Sequence, residues 1–476
     1  MDDLTADAVV LGGGSAGYAA ARTLSAQGCD TLVLDGAPEL GGLCILRGCM
    51  PTKALLHAAE LREAIREAGA WGITADGVRV DPVALFARKD ALIADFAAYR
   101  RGQLQDGRFR LVRSRARFEG PSILRLDDGR AVRFGRAVIA TGSRVAPVTV
   151  PGLAEAGFLT SDTALAQARV PESMVVLGGG AVALEFAQFY ARLGCRVSVV
   201  QRGRHLLSGF DADVAADLEA ALRREGIEVF TGATLDRVDR LGDGCRVRFL
   251  QDGKVVSIEA AEVFHGLGRV PDIDGLGLEA AGIATDRGRV AIDARQRTSC
   301  PGIFAAGDCC GPHEVVHLAV QQGEVAAHNL LHPGRPREMD YRLRMSVVFT
   351  SPQVAQVGLS EREADERGIA VLADRYPFND HGKSMILGCR EGFVKVLADP
   401  TSGEVLGAAC FGPQAGELIH EPAVALAARM TVAQWAAVPH YHPTLAEIWT
   451  YPAESLAESV IASNARRSEP APDVGA

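Results

Sequence analysis

Ala8-Val9-Val10-Leu11-Gly12-Gly13-Gly14-Ser15-Ala16-Gly17 is the stretch that decides the fold. The apolar run from Asp7 to Leu11 reads as a strand, and an Ala-rich helix follows the glycines to about Gln27. Thr31 to Leu34 then reads as a second strand, ending in Asp35. Strand, Gly-rich turn, helix and strand in that order make a right-handed βαβ unit. Gly12 makes the turn, Gly14 lets a phosphate approach, and Gly17 lets helix pack on strand. Ser15 and Ala16 open the helix, whose N-terminus offers free N–H groups and a positive dipole end to a pyrophosphate. Asp35 stands where an acid holds a ribose 2′-hydroxyl.

The pattern returns further along. Met174 to Leu177, Gly178-Gly179-Gly180-Ala181-Val182-Ala183, a helix to about Leu193 and Val197 to Val200 form a second unit. Here Ala183 replaces the third glycine, which still permits close packing. Gln201 stands where the ribose-binding acid would be, with Arg202 and Arg204 just beyond it. Cations without the acid favour a 2′-phosphate, hence NADPH over NADH. The alternative is that both arginines are solvated loop charges. Two such units predict two dinucleotide sites in one chain.

Between them, helices are predicted over residues 52–68 and 82–101, then a run of short strands at 109–118, 123–126, 131–134 and 137–140 with Asp128-Gly129 as a turn. From Arg342 onward, strands at 347–350, 393–397 and 405–411 look antiparallel, with helices at 416–429 and 445–463. The tail Arg466 to Ala476, rich in small residues, Pro and Asp, reads as disordered.

Composition sets outer limits. At 476 residues the chain suits two or three domains, and 48% hydrophobic with 23% charged residues is ordinary for a globular protein. A net charge of −9 argues against nucleic-acid binding and gives no reason to invoke anionic membranes. No apolar run is long enough to span a bilayer, and the acidic N-terminus lacks the positive region of a signal peptide. The ten cysteines follow no secreted-scaffold spacing, so a cytoplasmic protein with mostly reduced thiols is expected.

Two cysteines are set apart by their surroundings: Gly41-Gly42-Leu43-Cys44-Ile45-Leu46-Arg47-Gly48-Cys49-Met50-Pro51-Thr52-Lys53. On an ideal helix, Cα atoms at this spacing would be roughly 8–9 Å apart. A disulfide needs about 4.4–6.8 Å. A bridge here therefore requires an irregular turn, which Gly48 permits; two unrelated buried thiols remain the alternative.

The whole stretch resembles the GGxCxxxxCxPxK signature of the class I pyridine nucleotide-disulfide oxidoreductases, a family that includes dihydrolipoamide dehydrogenase and glutathione, mycothione and mercuric reductases. Further segments share the resemblance to about residue 463. They are Ala140-Thr141-Gly142, Gly307-Asp308, Phe349 to Leu359, and His440-Tyr441-His442-Pro443-Thr444-Leu445-Ala446-Glu447. The resemblance implies an α/β fold with two Rossmann-like domains, for FAD and NAD(P), and a C-terminal α+β dimerisation domain. The FAD domain would comprise 1–148 and 269–340, the NAD(P) domain 149–268, the interface domain 341–463, and a disordered tail 464–476.

It also implies roles. Gly12, Gly14, Ser15, Ala16, Gly17, Asp35, Gly42, Lys53, Thr141, Gly142, Gly307 and Asp308 would hold FAD. Gly178, Gly180, Ala183, Glu185, Arg202, Arg204 and Gly268 would serve NAD(P)H. Cys44 and Cys49 become the redox pair, with Cys49 facing the flavin and Cys44 exchanging with substrate. Lys53 and Glu185 match an ion pair beside the flavin, and His442 with Glu447 matches an acid/base dyad that serves the partner subunit of a homodimer. A thiol of ordinary pKa ~8.5 is mostly protonated at neutral pH, so a base of this kind is needed. The substrate would be a small disulfide or dithiol; no metal, nucleic acid or membrane is implied.

Departures narrow the choice of member. Glu324 stands where glutathione reductases place a substrate-binding arginine, although Arg22 matches another basic position of that group. Ala181 removes an aromatic lid, and the tail lacks the cysteine pair of mercuric reductases. Dihydrolipoamide dehydrogenase is the nearest analogue; Gln201 keeps an NADPH-dependent reductase of another small disulfide open, of glutathione- or mycothione-reductase type. A flavin-dependent quinone or electron-acceptor reductase with vestigial cysteines is the other alternative. Adjacent Cys309 and Cys310 read as buried structural thiols.

Overall fold

The computed structural model describes residues 2–468. Strand Leu4–Leu11 lies inside a seven-stranded sheet, parallel to Thr31–Leu34 on one side and Ala131–Ile139 on the other. Ala8, Val9 and Val10 are fully buried, as expected of a parallel strand covered on both faces. Arg110–Val112 extends one side. Ile123–Leu126 pairs antiparallel with the start of Ala131–Ile139, and Ile303–Ala305 pairs parallel with its end. The chain thus leaves this sheet after residue 139 and returns to it at 303.

The excursion builds a second unit. Its parallel sheet runs Glu228–Phe230, Arg196–Val200, Ser173–Leu177, Glu262–His265, beside an antiparallel meander of Thr234–Leu241, Gly244–Gln251 and Lys254–Ala260. The third unit is a five-stranded antiparallel sheet in the order Met345–Val348, Gln353–Gly358, Val405–Gly412, Phe393–Ala398, Leu372–Pro377. Helices Val432–Ala436 and Thr450–Ser468 pack on one another there, over buried Trp435 and Trp449.

Several elements differ from expectation. The two strands predicted at 131–140 are one, Ala131–Ile139. Edge strand Leu372–Pro377 escaped notice because no residue in it is buried and Asp374 and Arg375 interrupt its apolar character. The helix predicted over 416–429 is broken at Ile419 into Ala415–Leu418 and His420–Ala427. Pro422 has no N–H to offer the carbonyl four residues back; that carbonyl, of Leu418, accepts from Trp449 Nε1 at 3.2 Å instead. The final helix runs through Ser468, past the predicted end at 463. The rest of the tail expected to be disordered, 469–476, lies outside the described residues.

Candidate active site

Cys44 lies on the six-residue helix Gly42–Arg47, and Cys49 opens the 19-residue helix Cys49–Glu67. Gly48 separates them. A Cβ there would sit 3.0 Å from the Leu43 carbonyl oxygen and 3.2 Å from Cys44 Cα, so the chain folds back tightly only because that atom is missing. Both cysteines are free thiols, and each is the largest influence on the other's acidity. Their acidities split. The influence of Cys44 brings Cys49 down to about 7, against the opposing effect of burial and with help from the Lys53 ammonium. Cys44 is held far above the ordinary thiol range by Cys49 and by burial. The N-terminal position of Cys49 on a long helix favours the thiolate further.

Lys53 follows Cys49 by one helical turn. The Cys49–Glu67 helix packs against helix Ala181–Arg192, which brings Lys53 Nζ to Glu185 Oε2 at 2.8 Å. Glu185 is 2% exposed, and its other oxygen accepts from the Phe349 backbone N–H at 3.0 Å. Lys53 Nζ also lies 4.6 Å from the Phe349 ring centroid. One carboxylate thereby ties all three units together at the thiol pair.

The first Gly-rich turn is closed by contact. A Cβ at Gly17 would fall 1.9 Å from the Gly12 carbonyl oxygen, whereas at Gly14 nothing lies nearer than 3.9 Å, leaving that side open to a ligand. Asp35 is buried and accepts from the Gly13 N–H at 2.8 Å and the Ala37 N–H at 2.9 Å, so it also braces the turn. Across the cleft, Gly142 at φ +76° has open space, and Thr141 Oγ1 is buried with no partner. Asp308 accepts from Ser143 Oγ at 2.7 Å, and Arg269 Nε donates to the same hydroxyl at 2.9 Å. No local motif marks Ser143 or Arg269, which lie 126 residues apart.

In the second turn the substitution at Ala183 is accommodated elsewhere. A Cβ on Gly266 would come within 2.8 Å of Ala183 Cβ, so the methyl group has moved from one wall to the other. Gly180 and Gly268 leave open space. Arg202 and Arg204 are exposed and form no ion pair among the described residues. Gln201 Nε2 donates to the His205 carbonyl at 3.3 Å.

His442 Nδ1 meets both Glu447 oxygens at 3.1 Å, and its side chain is 76% exposed. His440, the neighbour, is engaged with Glu421 at 2.6 Å. A residue that sequence reading missed completes the dyad: His381, fully buried, places Nε2 3.2 Å from Glu447 Oε1 and Nδ1 2.7 Å from Ser384 Oγ. Burial pushes its imidazole down against the pull of Glu447. The carboxylate only accepts, so Nε2 carries the proton and Nδ1 accepts from Ser384. Cys309 and Cys310 are buried, with Sγ atoms turned to backbone carbonyls, Cys309 to Ala306 at 3.3 Å and Cys310 to Gly307 at 3.2 Å.

Residues 6–323 match the pyridine nucleotide-disulphide oxidoreductase family, and residues 345–453 its dimerisation domain. The chain belongs to this family. It is 36% identical over 460 residues to a dihydrolipoyl dehydrogenase of Thermus scotoductus, covering 96% of this chain and 98% of that one. A dihydrolipoyl dehydrogenase of Geobacillus stearothermophilus is 34% identical over 447 residues, 93% of this chain and 94% of the relative. The crystal structure of LpdA from Mycobacterium tuberculosis superposes with a TM-score of 0.85 at 29% identity, covering 95% of this chain and 99% of that one. As a member of the family the chain is an NAD(P)H-linked disulfide oxidoreductase that binds FAD and a pyridine nucleotide. The cleft fits FAD: the open faces of Gly14 and Gly142 admit a backbone-hugging ligand, and Thr141 Oγ1 awaits a partner. No helix among the described residues is long and apolar enough to cross a membrane.

Proposed function

We propose that the chain interconverts a small disulfide and its dithiol at Cys44 and Cys49, with dihydrolipoamide as the first substrate to test. One observation carries this reading: the Gly48 fold-back brings the Cys44 helix back against the start of the Cys49 helix, with the Lys53–Glu185 pair one turn further along. Bound FAD supplies a two-electron carrier between the nicotinamide and this pair. Gly12, Gly14, Ser15, Ala16, Gly17, Asp35, Gly42, Thr141, Gly142, Gly307 and Asp308 hold it, and Lys53 and Glu185 orient against it. We assign residues 1–148 and 269–340 to that domain, 149–268 to the nicotinamide cofactor and 341–463 to the interface.

In the reductive direction, Cys44 attacks one sulfur of the substrate disulfide once its proton has passed to His442. The substrate S–S bond breaks, and His442 returns the proton to the departing sulfur. Cys49, already ionised, then attacks Cys44, re-forming their disulfide and releasing the second substrate sulfur as a thiolate, which takes its proton from water. Glu447 fixes the His442 ring so that Nε2 is free to act, and His381 with Ser384 fixes Glu447. Exposed His442 serves the Cys44 of the other subunit in a homodimer. The reading places the enzyme in a reducing compartment, the cytoplasm.

Reduction by NADH or NADPH without oxygen should produce a long-wavelength thiolate–flavin absorbance; Cys44→Ser, with no disulfide to open, should show it before any reductant is added, and Cys49→Ser should lack it. Steady-state rates with lipoamide, glutathione disulfide and other small disulfides then fix the substrate. Turnover that survives Cys44→Ser would overturn the reading in favour of a quinone or electron-acceptor reductase. Exposed, unpaired Arg202 and Arg204 beside Gln201 favour NADPH as donor, and the ratio of kcat/KM for NADPH over NADH should fall in Arg202→Ala and Arg204→Ala.

A further inference from the structure

Tyr18 is surrounded by three arginines with different fates. Arg108 donates to the Tyr18 hydroxyl at 3.0 Å and to Asp106 at 2.7 Å. Arg22, one turn along the same helix, is paired with Glu324. Arg100 stacks over the Tyr18 ring with Cζ 4.3 Å from the centroid, and it has neither ion pair nor hydrogen bond among the described residues. Its Nε is shut away from solvent with nothing to donate to. A guanidinium desolvated on one edge without an acceptor is costly, and native structures seldom keep such a donor unmatched. The stacking holds its plane in place for a bidentate anion.

Arg100 also lies in a telling place. Its helix, Pro82–Gln105, packs on Gly42–Arg47, the helix that carries Cys44. Burial pushes the Arg100 guanidinium down from its ordinary value, yet arginine stays charged at neutral pH.

We propose that Arg100 determines substrate specificity by receiving a carboxylate or similar anion on the body of the disulfide whose sulfur meets Cys44. The inference rests on Cys44 being the thiol that exchanges with substrate. Because Glu324 consumes the charge of Arg22, a single cation is left at this corner. A substrate with one anion fits it; a neutral amide gains nothing from it. Free lipoate and lipoamide differ in this respect alone, so the pair reports on Arg100.

The decisive experiment does not need the true substrate. The FAD-loaded protein, reduced with NADPH, is treated in parallel with iodoacetate and iodoacetamide, and alkylation is followed by mass at the Cys44 peptide. In each case the sulfur displaces iodide from carbon, and only the charge of the reagent differs. The iodoacetate-to-iodoacetamide rate ratio should fall about five- to tenfold in Arg100→Met and in Arg100→Gln, the effect of one charge at an intermediate dielectric. Arg100→Lys should restore part of it. Arg101→Met, with the same loss of charge one position along on an exposed side chain, should leave it unchanged. Equal slowing with both reagents, or an equal effect in Arg101→Met, overturns the proposal. FAD content and Tm establish that each variant is folded. In turnover, KM for lipoate should rise in Arg100→Gln while that for lipoamide stays put. If the unaltered enzyme acts on neither, the lipoyl reading fails while the alkylation ratio still decides for Arg100.

Discussion

Cys49 and Lys53 set the working range of the enzyme. With Cys49 at about 7, the thiolate is present above that pH and lost as pH falls through it. The long-wavelength absorbance of the reduced protein should therefore fade with a midpoint near about 7. Lys53→Met removes a cation that favours the anion, and should move that midpoint upward by about one pH unit. His381 tests a different residue in another way. Its Nε2 proton holds Glu447, so His381→Ala should lower kcat/KM about five- to tenfold through a slackened His442. The loss should appear in the pH–rate profile and be partly rescued by His381→Gln; an unchanged profile would assign His381 a packing role only. The cysteines, Lys53 and His442 were legible because a local motif carries each of them. His381 and Ser384 were not, since they precede Glu447 by some sixty residues and meet it only through the folded third sheet. Arg100 was invisible for the same reason: its meaning lies in a ring contact and an empty donor, neither of which leaves a mark on spacing.

At the level of elements, both strand–turn–helix units are readable from glycine placement, yet they solve one packing problem differently. In the first, the chain needs Gly17 itself, and Gly17→Ala should cost about 3 kcal/mol or more and abolish FAD retention. In the second, the clearance comes from Gly266. Gly266→Ala should destabilise the protein and weaken binding of the nicotinamide cofactor, and Ala183→Gly in the same chain should recover part of the loss, a coupling that calorimetry on the four variants measures. Recovery is partial because the new methyl group also crowds the Leu177 carbonyl at 2.9 Å. This compensation had no sequence signal, because Gly266 follows a strand eighty-odd residues downstream of Ala183. The helix break at Ile419 could have been anticipated from Pro422; the apolar run from Ala423 to Ala428 concealed it.

Across the whole molecule, the second and third units are joined by a buried charge cluster. Lys395, only 3% exposed, reaches Asp211 at 2.8 Å, Asp213 at 3.0 Å and Glu361 at 2.7 Å. Burial alone would push the Asp211 carboxyl up; Lys395 and the N–H groups of Arg362 and Glu361 more than offset it, leaving it below its ordinary value. Burial likewise opposes the charge on Lys395, but its acidic partners raise it on balance. A lowered carboxyl stabilises above its unfolded value of about 4 and loses that contribution as pH falls below it; a raised ammonium stabilises below about 10.4 and loses it as pH rises further. The tie should hold across the intervening window. Lys395→Met, which strands the buried Asp211 carboxylate, should cost about 3 kcal/mol and lower Tm most near neutral pH, with the gap to the parent narrowing in acid. The order of the three units was legible in the chain, but the contacts that fix them against each other were not, being made by single charged residues on separate elements.

The Glu185 carboxylate grips an ammonium from the first unit and an amide from the third, and so it acts as a lock that closes only when every part of the chain has arrived. A polypeptide still emerging from synthesis has Lys53 without its carboxylate anchor, so the cation beside Cys49 is not yet held in place. The finished geometry around the thiol pair is thereby reached only once all three units have folded.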